Sequence, residues 1–170
     1  MKRTQKGFTL IELLVVIAVI GLLSTLTMVS LGGVRNRAND AAIASSMHQL
    51  QITAEIFNSE NGGYGVTADS IGTACALAAD PGAGTKGDIY KLCTDINKRN
   101  LGNHGIPTVV TDAAAGTQAT AYCAWTVLAS SAAKYQCIDS SSKAVQTNTL
   151  PSGAGYCVAA TSYVCPASAL

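Results

Sequence analysis

The strongest constraint on this chain is an apolar run near its start. From Phe8 to Leu31 there are 24 residues and one formal charge, Glu12. Lys2, Arg3 and Lys6 precede the run with no acidic residue among them. A helix needs about 20 apolar residues to cross a hydrocarbon core, so the run is long enough, and the basic flank points the N-terminus at the cytoplasm. The run exceeds the apolar region of about 7–15 residues in a secretory signal, and no A-x-A-like site follows Leu31. The segment is therefore expected to remain in the working protein. Two features do not suit a plain anchor. Gly7 separates the basic patch from the apolar run, and an acid sits inside the span. Translocon scales place an acid at a helix centre at roughly +2.5–3.5 kcal/mol, and somewhat less near the end, where Glu12 lies. Such an acid normally has a partner.

The helix should continue beyond the apolar run. No proline or glycine occurs from Val34 to Asn61. Ile43, Met47, Leu50, Ala54 and Phe57 step by four, three, four and three, which places them on one helical face. Arg35, Asn39, Ser46, Gln49 and Glu60 lie opposite. One helix from Phe8 to about Asn61 is predicted, apolar all round in its first half and carrying a stripe in its second. Gly32-Gly33 is its weak point, because each glycine costs about 1 kcal/mol relative to alanine inside a helix, and a bend or melted turn is expected there.

Asn61-Gly62-Gly63-Tyr64-Gly65 ends the helix. The predicted organisation is a leader over 1–7, a membrane or core-forming half-helix over 8–31, an amphipathic half over 32–61 and a globular head over 62–170. Within the head, 62–116 reads as a connecting region with a short helical turn over Thr73–Ala79 and a helix over Asp88–Arg99. Ile89, Leu92, Cys93 and Ile96 share one face of that helix, and Pro81, Gly82, Gly84 and Gly87 break the chain before it. Residues 117–148 read as a meander of three antiparallel strands, Thr120–Leu128, Lys134–Ile138 and Lys143–Thr147, rich in aromatic and β-branched residues. Residues 149–170 form a C-terminal disulfide loop, where Tyr156–Val158 and Ser162–Val164 could add an edge strand or hairpin. Covering one face of the meander with the helical stripe buries both apolar faces at once, an α+β fold.

Six cysteines follow the apolar run: Cys75, Cys93, Cys123, Cys137, Cys157 and Cys165. None forms a C-x-x-C pair, whereas zinc sites favour short ligand pairs. Disulfides in an oxidising compartment are the better reading. Six cysteines allow fifteen connectivities; locality favours Cys75–Cys93, Cys123–Cys137 and Cys157–Cys165.

Charge and motif content exclude several function classes. Formal net charge is +1 and only 12% of residues are charged, so nucleic acid is not indicated as the main partner. No G-x-S-x-G, H-E-x-x-H or Walker spacing occurs, and Gly82-Ala83-Gly84-Thr85-Lys86-Gly87 has the wrong spacing for a phosphate loop. His48 and His104 stand alone. Asp88, Asp95, Asp112 and Asp139 lack the dense oxygen spacing of a calcium loop. Lys91, Lys98 and Arg99 read as a solvated helix face, with DNA contact as the sharper alternative. Trp125 and Tyr122 read as sheet packing. No catalytic residue, cofactor or metal ligand set is expected.

The stretch Gly7-Phe8-Thr9-Leu10-Ile11-Glu12-Leu13-Leu14-Val15-Val16-Ile17-Ala18-Val19-Ile20-Gly21-Leu22-Leu23 closely resembles the N-terminus of type IV prepilins and type II secretion pseudopilins, with the short leader of the type IVa group. The likeness covers about the first 60 residues, and a long helix followed by a meander and disulfide-closed loops also looks pilin-like. The resemblance implies that a prepilin peptidase cuts between Gly7 and Phe8 on the cytoplasmic side and methylates the new amine of Phe8. It implies an inner-membrane precursor that assembly machinery pushes into a homo-oligomeric helical filament at the cell surface, with Glu12 pairing to the Phe8 amine of a neighbouring subunit. It implies a structural subunit and not an enzyme. A pseudopilin of a secretion or competence system is the alternative, and a membrane-anchored exported binding domain a third reading. The position often held by a helix-breaking proline in pilins is Val29 here. Contact with DNA or a host surface is left open.

Overall fold

The computed structural model describes residues 7–66, 69–100, 105–114, 116–153, 155–158 and 162–167, and within the first helix the side chains of all but residues 26–31. Lys2, Arg3, Lys6 and His104 lie outside the described residues. The chain divides into two compact units, Met1–Asn36 and Arg37–Leu170. Helix α1 (Leu10–Asn61) supplies residues to both.

In the first unit the helix shows apolar side chains on every side. Phe8 and each leucine, isoleucine and valine from Leu10 to Leu23 are exposed. Among the described residues no helix is long and apolar enough to cross a membrane. The span expected over 8–31 runs on into residues 26–31, whose side chains lie outside the described residues. The backbone is helical through Gly32 and Gly33, where the sequence suggests a break. Nothing stands within 4 Å of where a Cβ would be at either glycine.

The second unit is the α+β head. Gly62, at φ +70°, turns the chain out of α1, and the N–H groups of Gly62 and Gly63 both donate to the carbonyl of Asn58. This is the left-handed stop that glycine permits without a Cβ penalty. Two short strands, β1 (Gly65–Val66) and β2 (Asp69–Ser70), pair with each other. Helices α2 (Ile71–Cys75) and α3 (Thr85–Arg99) follow. Strands β3 (Thr108–Thr111), β4 (Tyr122–Leu128), β5 (Ser131–Asp139) and β6 (Ala144–Thr147) form one antiparallel sheet in sequence order. Ile43, Met47, Leu50, Ala54 and Phe57 of α1 are at most 3% exposed. They share one core with Ile71, Ile89, Ile96, Tyr122, Ala124, Leu128 and Ile138. The other face of β4 carries Cys123 and Trp125, which belong to a second cluster with Cys137, Cys157 and Cys165.

Polar side chains of α1 also hold the turns of the sheet. Asp40 Oδ1 accepts from the Ser130 N–H in the β4–β5 turn at 3.0 Å. Gln51 Nε2 donates to the Asp139 and Lys143 carbonyls in the β5–β6 turn at 3.0 and 3.1 Å. Each of these carbonyls also accepts a backbone N–H within the turn, Asp139 from Ser142 and Lys143 from Asp139, so the buried amide satisfies itself on the second lone pair of each and ties the turn to the helix.

The head departs from the sequence reading in several places. Strand β3 is an additional edge strand inside the region read as a connection; it pairs Thr108 with Trp125 and Thr111 with Tyr122. The short helix falls over Ile71–Cys75 and not Thr73–Ala79, because Ser70 caps it and exchanges hydrogen bonds with Thr73 in a capping box. Helix α3 starts at Thr85, and Gly87 is inside its first turn. A Cβ at Gly87 would overlap the carbonyl of Gly82, so this glycine permits close approach and does not break the chain. Ser46, read on the polar face of α1, is buried because α3 covers that side; its hydroxyl donates to Asp95 Oδ2 at 3.0 Å. Among the described residues the C-terminal hairpin is a single bridge, Val158 to Ser162, with 159–161 outside the described residues.

The disulfides require a further correction. Cys75 is joined to Cys93, but Cys123 is joined to Cys157 and Cys137 to Cys165. The local pairs Cys123–Cys137 and Cys157–Cys165 do not form. Register explains the difference: Cys123 stands opposite Asp139, and Cys137 opposite Trp125, so the two strand cysteines are diagonal neighbours. The C-terminal segment lies against that face and presents a cysteine to each. Loop-closure entropy grows only about 0.6 kcal/mol per doubling of loop length, so sequence proximity decides little once geometry speaks.

Candidate processing and assembly site

Residues Gly7, Phe8 and Thr9 lie just outside α1. The first helical hydrogen bonds are those that Thr9 O accepts from the N–H groups of Glu12 and Leu13. The Gly7–Phe8 peptide precedes them, in backbone outside the helix. Phe8 is 84% exposed, and nothing stands within 4 Å of the place a Cβ would take at Gly7.

Thr9 and Glu12 form a reciprocal cap. The Thr9 N–H and hydroxyl both donate to Glu12 Oε2, at 2.9 and 2.8 Å. The Glu12 N–H in turn donates to Thr9 Oγ1 at 3.4 Å. With Leu10 as the first helical residue, Thr9 is the N-cap and Glu12 the third position, the T-x-x-E capping box. The sequence displays this pattern, but an acid that resembles an assembly residue draws attention away from its local role. Both side-chain bonds to Glu12 fall on Oε2, so Oε1 is left to a further donor. The carboxylate also lies at the positive end of the helix dipole, which favours its charge. Beyond it, Leu14, Val15, Ala18, Val19, Leu22 and Leu23 line an almost wholly apolar groove on the helix.

The other candidate residues do not converge on a polar site. His48 Nδ1 contacts Gln51 Oε1 at 3.3 Å. Lys91 stands near Asp80 and Asp88, and Arg99 Nε donates to Asp95 at 2.6 Å. Two of the three basic groups considered for DNA contact therefore already face carboxylates. The Arg99 guanidinium holds the Asp95 carboxyl below its ordinary value, against the effect of burial and with help from Ser46. Burial pushes Asp112 up, but the Thr120 hydroxyl and the N–H groups of Ala121 and Thr120 outweigh it and hold the carboxyl low. Asp139 accepts from its own turn, through the N–H and hydroxyl of Ser141 and the N–H of Lys143, and from the Cys165 N–H. Burial raises the Tyr64 and Tyr122 hydroxyls; the Tyr64 hydroxyl donates to Glu55 and its ring meets Tyr122 edge-on at 4.7 Å. Trp125 packs edge-on against Tyr135. Both aromatics of β4 are thus engaged within the sheet and core.

Residues 2–28 match the family described as the prokaryotic N-terminal methylation motif. The chain is similar to the type IV wide pilus major component PilA4 of Thermus thermophilus, 39% identical over 62 residues, 36% of this chain and 47% of that protein. It is similar to the type II secretion system core protein G of Dickeya chrysanthemi, 32% identical over 72 residues, 42% of this chain and 47% of that protein. Core protein G of Aeromonas hydrophila is 31% identical over 70 residues, 41% of this chain and 49% of that protein. The matched region spans about half the length of each of these curated relatives. No solved structure matches the chain. With a long N-terminal helix ahead of a small antiparallel, disulfide-closed head, the chain carries the N-terminal methylation motif and is similar, through that segment, to type IV pilins and type II secretion pseudopilins.

Proposed function

We infer that the chain is a prepilin whose mature form polymerises into a type IV pilus. The observation that carries the reading is the methylation motif over residues 2–28, placed on an exposed, non-helical Gly7–Phe8 peptide followed by an exposed apolar helix. A prepilin peptidase cuts after Gly7 and methylates Phe8. Residues 8–31 hold the precursor in the inner membrane, and they later form the filament core. Lipid and a bundle of such helices are equivalent solvents for leucine, isoleucine and valine, so a subunit can pass from one to the other without exposing this surface to water. Glu12 pairs with the Phe8 amine of a neighbouring subunit. In a low-dielectric core each charge neutralises the other, and the pair sets axial register. The role is structural, not catalytic, and the head is the part that meets the cell exterior.

A second reading, a pseudopilin of a type II secretion system, is favoured by the similarity to core protein G from several bacteria. Shearing cells and determining the intact mass and N-terminal sequence of the released material tests the first. The expected result is long filaments built of a chain that begins at N-methyl-Phe8. A surviving Met1 terminus, or protein found only in membranes, overturns it; correct processing without surface filaments favours the pseudopilin.

A further inference from the structure

We propose that Cys123, Cys137, Cys157 and Cys165, once reduced, form a tetrathiolate site for one zinc ion. The fold brings these four cysteines from β4, β5 and two positions of the C-terminal segment into one group. All four sulfurs lie within 4.8 Å of one another, and each residue is at most 1% exposed. Sequence spacing argues against zinc because no two of them are close along the chain; in the folded head that objection falls away.

Geometry matches the ion. Thiolates at about 2.3 Å from zinc in a tetrahedron stand about 3.8 Å from one another. Between sulfurs that are not bonded to each other, the structure gives 3.6 Å for Cys123–Cys137, 3.5 Å for Cys137–Cys157 and 3.9 Å for Cys123–Cys165. These edges already have the length required. The two bonded pairs must separate, and reduction releases them to do so; the fourth unbonded pair, Cys157 and Cys165, lies within 4.8 Å.

The surrounding hydrogen bonds do not depend on the disulfides. The Cys165 N–H donates to the Asp139 carboxylate at 2.8 Å, Lys143 Nζ donates to the Cys165 carbonyl at 3.0 Å, and the Cys157 N–H donates to the Val164 carbonyl at 3.3 Å. The first two keep Cys165 against the sheet after the sulfur bonds open, and the third ties Cys157 to the residue before Cys165, as outer partners orient metal ligands. Lys143 also brings positive charge to a site that carries two net negative charges when zinc is bound by four thiolates. Cys75 and Cys93 belong to the other core cluster and take no part.

The chemistry balances. A dithiol reductant gives each disulfide two electrons and two protons and becomes a disulfide itself. Zinc then displaces the four thiol protons, which leave to solvent. The site uses only residues of the head and only their reduced form, so the titration reads it whether or not the chain assembles into a filament.

The test uses the full chain in detergent micelles. It is reduced without oxygen by a water-soluble phosphine, which becomes the phosphine oxide, and then desalted and titrated with cobalt(II) and zinc(II). The expected result is one cobalt per chain with intense sulfur-to-metal charge-transfer bands and tetrahedral absorption in the red, displaced by one equivalent of zinc. Zinc should shield four of six thiols from an alkylating reagent, and mass mapping should place the label on Cys75 and Cys93. A Cys75→Ser, Cys93→Ser chain should retain the cobalt spectrum, and Cys137→Ser should lose it. Absent charge-transfer bands, uniform alkylation of all six thiols, or a spectrum unchanged by Cys137→Ser overturns the proposal.

Discussion

Glu12 has two claims on one side chain, and they fall at different moments. Within the chain it closes the helix start by accepting from Thr9 through Oε2. In the proposed filament it meets a new amine four residues upstream on a neighbour. The two roles are compatible because the cap fixes the carboxylate's direction and leaves Oε1 for the amine. Substituting an N-cap threonine typically costs about 1 kcal/mol of helix stability, whereas leaving an amine uncompensated in an apolar core costs more. Glu12→Val should therefore leave cleavage after Gly7 intact, because the scissile peptide lies outside the helix, and should sharply lower filament yield. Immunoblots for the processed form beside quantified sheared filaments check both halves; normal filament yield would sink the charge pairing. At this scale the sequence presents Gly7, Phe8 and Glu12 together, and the structure adds the local cap between Thr9 and Glu12. The Thr9 half of the cap is equally visible as T-x-x-E, but nothing in one dimension says that an acid at the start of an apolar run is satisfied by its own neighbour.

The helices and strands that were legible are those whose residues repeat with a clear period. The stripe Ile43, Met47, Leu50, Ala54 and Phe57 is buried as its spacing requires. Strand β3 was missed although Thr108-Val109-Val110-Thr111 is wholly β-branched, because four residues after a proline carry too little pattern to outweigh a loop. Strand β5 begins at Ser131 despite its alanines, since pairing with Leu128 across a tight turn overrides local preference. Contacts between elements were the least legible, and the meeting of α3 with α1 is the clearest case. There Asp95 accepts from Arg99 at 2.6 Å along α3 and from Ser46 of α1 at 3.0 Å. Hydrogen bonding to Arg99 leads the causes that hold its pKa below the ordinary value. A depressed folded pKa means that the ionised group stabilises the fold above the unfolded carboxylate pKa, near 4, and that this contribution is lost as pH falls through the folded value. Urea melts of the wild type and Asp95→Asn should therefore differ at pH 7 and converge toward pH 3. The pair is partly exposed, so the gap at pH 7 should be modest and should shrink in high salt. A gap that widens on acidification would reverse the assignment.

At the scale of the molecule, the two compact units place opposite demands on their surroundings. In Arg37–Leu170 the stripe Ile43, Met47, Leu50, Ala54 and Phe57 of α1 is buried in the core, the turns of the sheet are tied to Asp40 and Gln51, and three disulfides close the loops. By the chain-entropy model each such cross-link removes about 3–4 kcal/mol of freedom from the unfolded chain, with the mechanism disputed. The two that share a sulfur cluster constrain the same segments, so their effects do not add. In Met1–Asn36 the described apolar side chains face outward and make no core of their own. Water is a poor solvent for that surface, at about 25 cal/mol per Å² exposed, so it needs a bilayer or neighbouring copies. The units should therefore separate by solubility. A chain beginning at Arg37 should be soluble and monomeric, unfold cooperatively, and carry the same three disulfides by peptide mapping. A chain beginning at Phe8 should partition into detergent and sediment as larger species when the detergent is diluted. The comparison reads whether the head's fold owes anything to the first unit. A head from Arg37 that fails to fold, or whose cysteines scramble, would show that residues before Arg37 stabilise it and that the division at Asn36 is not a folding boundary.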